Sequence, residues 1–123
     1  MTTIMVVDDS QFLRDRVTRI LNMQGYETIL AGDGIEAVQL YQQHRPDAVL
    51  MDITMPRKNG MIALAEIREY DADARVIMLT ALNQQNLAAK AIHMGAKDFL
   101  AKPISLSLLI LTLERVLKEN AQV

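Results

Sequence analysis

The chain has 123 residues, half of them hydrophobic and 23% charged, with 13 Lys and Arg against 15 Asp and Glu for a net charge of −2. Length and composition together exclude disorder and more than one domain, and they leave room for a sizeable core, so a single domain over residues 1–123 with an ordered core of about 3–119 is expected. The balanced charge speaks against nucleic acid as a partner. The lack of cysteine removes disulfides, thiolate metal sites and a cysteine nucleophile, and the lack of a long apolar run or a signal-peptide pattern predicts no membrane insertion and a cytoplasmic protein.

Apolar runs alternate with helical stretches from one end to the other. Ile4-Met5-Val6-Val7 predicts a strand that ends in Asp8-Asp9. Leu13, Val17, Ile20 and Leu21 give helical spacing over about 10–24, with Gly25 where a helix-terminating glycine belongs. Residues 26–31 read as a second strand. Asp33, with Glu36 three positions on, opens a second helix that ends near Gln43 or His44, ahead of Pro46. Ala48-Val49-Leu50-Met51 makes a third strand, closed by Asp52. A loop over 56–60 leads into a third helix that runs to about Tyr70. Val76-Ile77-Met78-Leu79 is a fourth strand ending at Thr80, and a fourth helix covers about 84–94 before Gly95. Residues 98–101 form a short fifth strand followed by Lys102-Pro103. A last helix runs over about 106–119, and residues 120–123 are expected to fray. The first, third and fourth strands are apolar without alternation, as in parallel sheets covered on both faces. The fold class is therefore α/β, a (βα)5 doubly wound parallel sheet in a three-layer sandwich.

In an open α/β sheet, ligands bind beyond the carboxyl ends of the strands. Those ends carry Asp8, Asp9, Asp52, Thr80 and Lys102. Three carboxylates held together repel one another, and a divalent cation resolves the conflict. Mg²⁺ prefers oxygen ligands and keeps positions for water and phosphate oxygens. A carboxylate can then serve as nucleophile toward a phosphoryl group, with the lysine neutralising charge and the threonine donating a hydrogen bond. Singly, each residue has a plainer reading: Asp8-Asp9 as a helix-capping turn, Asp52 as a strand-end turn residue, Thr80 as a capping hydroxyl, Lys102 as a surface charge. Their joint placement at the strand ends is what favours a site.

Four motifs, in order along nearly the whole chain, carry a resemblance. They are Val6-Val7-Asp8-Asp9-Ser10, Asp52-Ile53-Thr54-Met55-Pro56 with Gly60, Leu79-Thr80-Ala81, and Gly95 through Pro103 with Lys97, Phe99 and Lys102. The sequence resembles a response-regulator receiver domain of two-component signalling, similar to the stand-alone chemotaxis regulators. The resemblance implies a flavodoxin-like sheet of order 2-1-3-4-5. It implies Asp52 as phosphoacceptor, and Mg²⁺ held by Asp8, Asp9, Asp52 and the backbone carbonyl of Thr54. Lys102 and Thr80 would engage the phosphoryl group, Phe99 would be the switch aromatic, and the Lys102–Pro103 peptide would be cis. The implied phosphodonor is a sensor histidine kinase or a phosphotransfer protein, and the output is a downstream protein target. Such a domain assists its own phosphorylation and dephosphorylation and is not a turnover enzyme. Asn59 stands where many relatives have Asp, Arg57-Lys58 make that loop basic, and Thr54 and Leu82 occupy the positions that tune water's access to the acyl phosphate.

The last helix adds a reading of its own. Leu106, Leu109, Ile110, Leu113, Val116 and Leu117 form one apolar stripe for the sheet. Leu108 and Leu111 fall outside it, on the side of Arg115. In the resembled family the face made by the fourth helix, fifth strand and last helix receives partners, so these residues are expected to contact a partner or a second copy in a homodimer. His44 and His93 read as surface residues, and the eight Met residues as core filler. Other classes fit less well. An aspartate-nucleophile phosphatase needs a second aspartate at position 54, and a flavin or nucleotide binder needs a Gly- or Ser/Thr-rich loop where Asp8-Asp9 stand. An adaptor that is never phosphorylated, and a receiver cut from a longer transcriptional regulator, stay as alternatives, with Met1 and the polar end favouring a stand-alone chain.

Overall fold

Backbone hydrogen bonding along the apolar runs builds a single sheet. The computed structural model describes residues 1–119. The expected fraying of residues 120–123 and the side chain of Leu82 lie outside the described residues. The strands are β1 (Thr3–Val7), β2 (Glu27–Ala31), β3 (Ala48–Asp52), β4 (Val76–Thr80) and β5 (Asp98–Ala101). They are all parallel, in the order β2-β1-β3-β4-β5. The helices are α1 (Gln11–Met23), α2 (Gly34–His44), α3 (Gly60–Tyr70), α4 (Gln85–His93) and α5 (Leu106–Glu119).

Side chains alternate across the sheet, which divides the core in two. Ile4, Val6, Leu50, Ile77 and Leu79 face α1 and α5 and pack with Val17, Leu21, Leu109, Leu113 and Val116. Met5, Val7, Val49, Met51 and Met78 face the other way and pack with Ala37, Tyr41, Leu64, Ile67 and Ala91 of α2, α3 and α4. β3 and β4 are buried along their whole length. This two-sided cover is the reason those strands read as unbroken apolar runs.

Local chemistry sets the helix ends. Ser10, rather than either aspartate, caps α1 by accepting from the Leu13 amide. Asp33 caps α2 through the Glu36 amide, and the Glu36 carboxylate reaches back to the Gly32 amide at 2.7 Å. Asn59 caps α3 by accepting from the Ile62 amide at 3.0 Å. Gly25 and Gly95 take the left-handed φ of +89° and +104° that end the preceding helices without strain.

The fourth helix matches its expected span within a residue, beginning at Gln85 after a 3₁₀ turn over Leu82–Gln84 in which the Gln84 side chain takes the Ala81 amide. Two expectations need correction. On α5 the buried stripe includes Thr112 and leaves Ile110 half-exposed. Each residue turns a helix by about 100°, so Ile110 lies a quarter turn off Leu109 while Thr112 stays on the sheet side. Of the methionines, Met5, Met51, Met55 and Met78 are core, but Met1 and Met23 are exposed. Both stand outside the core layers, ahead of β1 and at the end of α1. His44 and His93 are exposed, as read from the sequence.

Candidate functional site

Every strand but the edge strand β2 delivers a polar residue to one rim of the sheet. β1 stops at Val7, and the chain turns at Asp8. The Asp8 amide donates to the Ala31 carbonyl, its Oδ1 accepts from the Ser10 amide at 2.8 Å, and its carbonyl accepts from Arg14 Nη1 at 2.6 Å. These contacts hold the carboxylate fully out of solvent. Asp9 beside it is exposed. Asp52 is the last residue of β3, and Thr80 the last of β4, and both are buried. β5 ends at Ala101, and the Lys102 amide donates to the Thr80 carbonyl at 2.7 Å, which fixes the lysine at the same rim. The Lys102–Pro103 peptide is cis.

Asp8, Asp9 and Asp52 each place a carboxylate oxygen within 4.8 Å of the others. Lys102 Nζ lies between two of them, 2.7 Å from Asp8 Oδ2 and 3.2 Å from Asp52 Oδ1. Burial and the neighbouring charge of Asp8 push the Asp52 carboxyl up to about 6, with Lys102 opposing and Asp9 adding to the rise. Burial alone would lower the Lys102 ammonium. Its hydrogen bond to Asp8 and the charges of Asp52 and Asp8 outweigh that, and hold it above its ordinary value. Three carboxylates against one ammonium leave a site with excess negative charge and hard oxygen donors only, which is the donor set that suits Mg²⁺.

Two loops frame the rim. Beyond Asp52, the Gly60 amide donates to the Ile53 carbonyl at 2.7 Å and closes the β3–α3 loop. A Cβ on Gly60 would lie 2.0 Å from the Asp52 carbonyl oxygen, so only glycine permits this approach. The same loop is strapped to α2 by the Gly34 amide to Lys58 carbonyl bond and by the Arg57–Asp33 ion pair at 2.8 Å. Beyond Thr80, Gln84 bridges to the first loop: its Oε1 accepts from the Ala81 amide at 2.8 Å, and its Nε2 donates to Thr54 Oγ1.

The structure therefore brings Asp8, Asp9, Asp52, Thr80 and Lys102 together at one rim, as expected from their strand-end positions. Phe99 is elsewhere, on β5 opposite Met78, with its side chain 40% exposed. Leu108 and Leu111 are 51% and 62% exposed on the outer side of α5. Arg115 shares their region but pairs with Asp98 at the start of β5 and with Glu119. Sequence reasoning missed Arg14 and Gln84. Arg14 lies six residues after Asp8, on the inward turn of α1, and that spacing was a usable signal. Gln84 offered none, since a glutamine near a helix start has no preferred partner across a loop.

The family model described as the response regulator receiver domain matches residues 4–114. The chain is 46% identical over 120 residues to protein CcdB of Bacillus subtilis, covering 95% of this chain and 98% of that protein. It is 48% identical over 101 residues to the chemotaxis protein CheY of the same species, covering 81% and 84%. A crystal structure of a CheX–CheY complex with BeF₃ and Mg²⁺ from Borrelia burgdorferi superposes with a TM-score of 0.89 at 37% identity, over 94% of this chain and 88% of that one.

Proposed function

The chain belongs to the response regulator receiver domain family, and from that premise we propose that it is a phosphorylation-driven protein switch with Asp52 as its phosphoacceptor. The observation that carries this reading is the convergence of Asp8, Asp9 and Asp52 at the carboxyl rim of the sheet, with Lys102 paired to Asp8 and Asp52. An Asp52 carboxyl near 6 is ionised at neutral pH, the form a nucleophile needs. One Asp52 oxygen attacks the phosphorus of a phosphohistidine on a sensor kinase or phosphotransfer protein. The O–P bond forms as the P–N bond breaks, and the leaving imidazole takes up a proton. Asp8, Asp9, Asp52 and the backbone carbonyl of Thr54 would hold Mg²⁺, which would supply neutralising charge for the phosphoryl oxygens.

Lys102 already spans Asp8 and Asp52, so it reaches a phosphoryl oxygen with little movement. The Thr80 hydroxyl, one strand over, donates to another. Drawing Thr80 inward vacates space beside β5, and Phe99 turns into it. The face made by α4, β5 and α5 then changes its affinity for a downstream protein in the cytoplasm. Phosphorylation biases this equilibrium only by the free-energy difference it makes between the two states. The domain assists both the gain and the loss of its own phosphoryl group.

Intact mass after incubation with acetyl phosphate tests the reading. One phosphoryl adduct is expected with Mg²⁺, and none with chelator or in Asp52→Asn. An adduct of equal yield in Asp52→Asn would overturn the assignment.

A further inference from the structure

The Gln84 carboxamide uses both of its ends. Its Oε1 accepts from the backbone amide of Ala81, the residue next to Thr80. Its Nε2 donates to the hydroxyl of Thr54, two residues beyond Asp52. One side chain thus ties the loop that follows β4 to the loop that follows β3, across the mouth of the site. The cost of this arrangement is visible in the backbone. The residues from Leu82 to Gln84 form a 3₁₀ turn instead of the first turn of α4, a tighter winding that is frequent at helix termini.

We propose that Gln84 is a positioning residue that holds the Thr80–Ala81 segment in its resting place, and so sets how readily the site accepts a phosphoryl group. This rests on the switch reading above and adds a control to it. A shift of the Thr80 backbone toward Asp52 carries the Ala81 peptide with it. Ala81 is pinned to Gln84, and Gln84 is anchored to Thr54 on the opposite loop. The tie belongs to the resting arrangement, so its free energy counts against the phosphorylated one. Thr54 acts here through its hydroxyl, a role separate from that of its backbone carbonyl.

Beryllofluoride, a tetrahedral mimic of a carboxylate-bound phosphoryl group, provides the test. Its affinity would be measured with Mg²⁺ on the full chain by titration of amide NMR signals. Thr54→Val removes the hydroxyl at nearly constant shape, and Gln84→Met removes both bonds at nearly constant length. Each is expected to tighten binding by roughly two- to tenfold, the worth of one neutral hydrogen bond. In the double variant Thr54→Val is expected to add nothing, because the pair acts as a unit. Gln84→Glu, which can accept from both Ala81 and Thr54, is expected to restore the wild-type affinity. Independent factors that multiply in the double variant would overturn the tie, and so would unchanged or weaker binding in Thr54→Val. If the wild type binds no beryllofluoride, the switch reading itself fails. That outcome is distinguishable, because the Ala81 amide signal still reports whether Gln84→Met breaks the bond.

Discussion

Asp52 is where burial and charge conflict most directly. Its carboxyl is pushed up to about 6 from an ordinary value of 3.8, so the ionised form is worse off in the fold than in the unfolded chain. Stability then falls as pH rises between those two values, and the loss is complete above the upper one. Asp52→Asn removes this cost. In metal-free buffer at about pH 7 the variant is expected to be more stable than wild type, by on the order of 1–3 kcal/mol, and the gain should vanish below about pH 4. Urea unfolding across that range checks it; a variant less stable than wild type at neutral pH would contradict the electrostatics. At this scale the sequence was informative where a residue's location follows from its place at a strand end. Asp8, Asp52, Thr80 and Lys102 were legible for that reason. Pairings between side chains were not. That Lys102 lies nearer Asp8 than Asp52, or that Tyr41 donates to Asp71 at 2.7 Å to clasp α2 to α3, depends on contacts between distant segments.

Among the elements, the β3–α3 loop is the most tightly constrained. Gly60 passes so close to the Asp52 carbonyl that a methyl group would sit 2.0 Å away, against backbone rather than a movable side chain. Gly60→Ala is expected to cost about 3 kcal/mol and to slow phosphorylation by displacing Asp52, both measurable on one preparation. α5 behaves oppositely on its outer side. Leu108 and Leu111 are 51% and 62% exposed, so Leu108→Glu with Leu111→Glu should change stability by less than about 0.5 kcal/mol. The same pair is expected to abolish partner capture or self-association in sedimentation. Unchanged association in both assays would remove this face from the account. Element boundaries were legible wherever periodicity and helix-end residues agreed, as for α1 with Gly25 and α2 with Asp33. What the pattern did not show was the 3₁₀ turn ahead of α4, where the Gln84 side chain takes the Ala81 amide, and the burial of Thr112 in place of Ile110, since a polar residue was not counted in the stripe.

For the molecule as a whole, the sheet separates two packed cores and presents a polar rim where the strands end. α1 and α5 cover one face, and α2, α3 and α4 the other. The fold class and strand alternation follow from unbroken apolar strands, which only a two-sided cover can satisfy. Strand order does not follow from the pattern; it entered through the resemblance and is the order observed. In the proposed switch, β4 and β5 link the rim to the α4–β5–α5 face, and they are paired from Ile77–Asp98 to Thr80–Ala101. Phe99 lies inside that ladder with its ring exposed, so it reports on the coupling without a partner present. The most direct measurement is the aromatic NMR spectrum of Phe99 before and after phosphorylation of Asp52, with the adduct verified by mass in the same sample. A ring that leaves solvent upon phosphorylation, and stays in place in Thr80→Ala, is the predicted result. A fully phosphorylated protein with an unmoved Phe99 would contradict the switch.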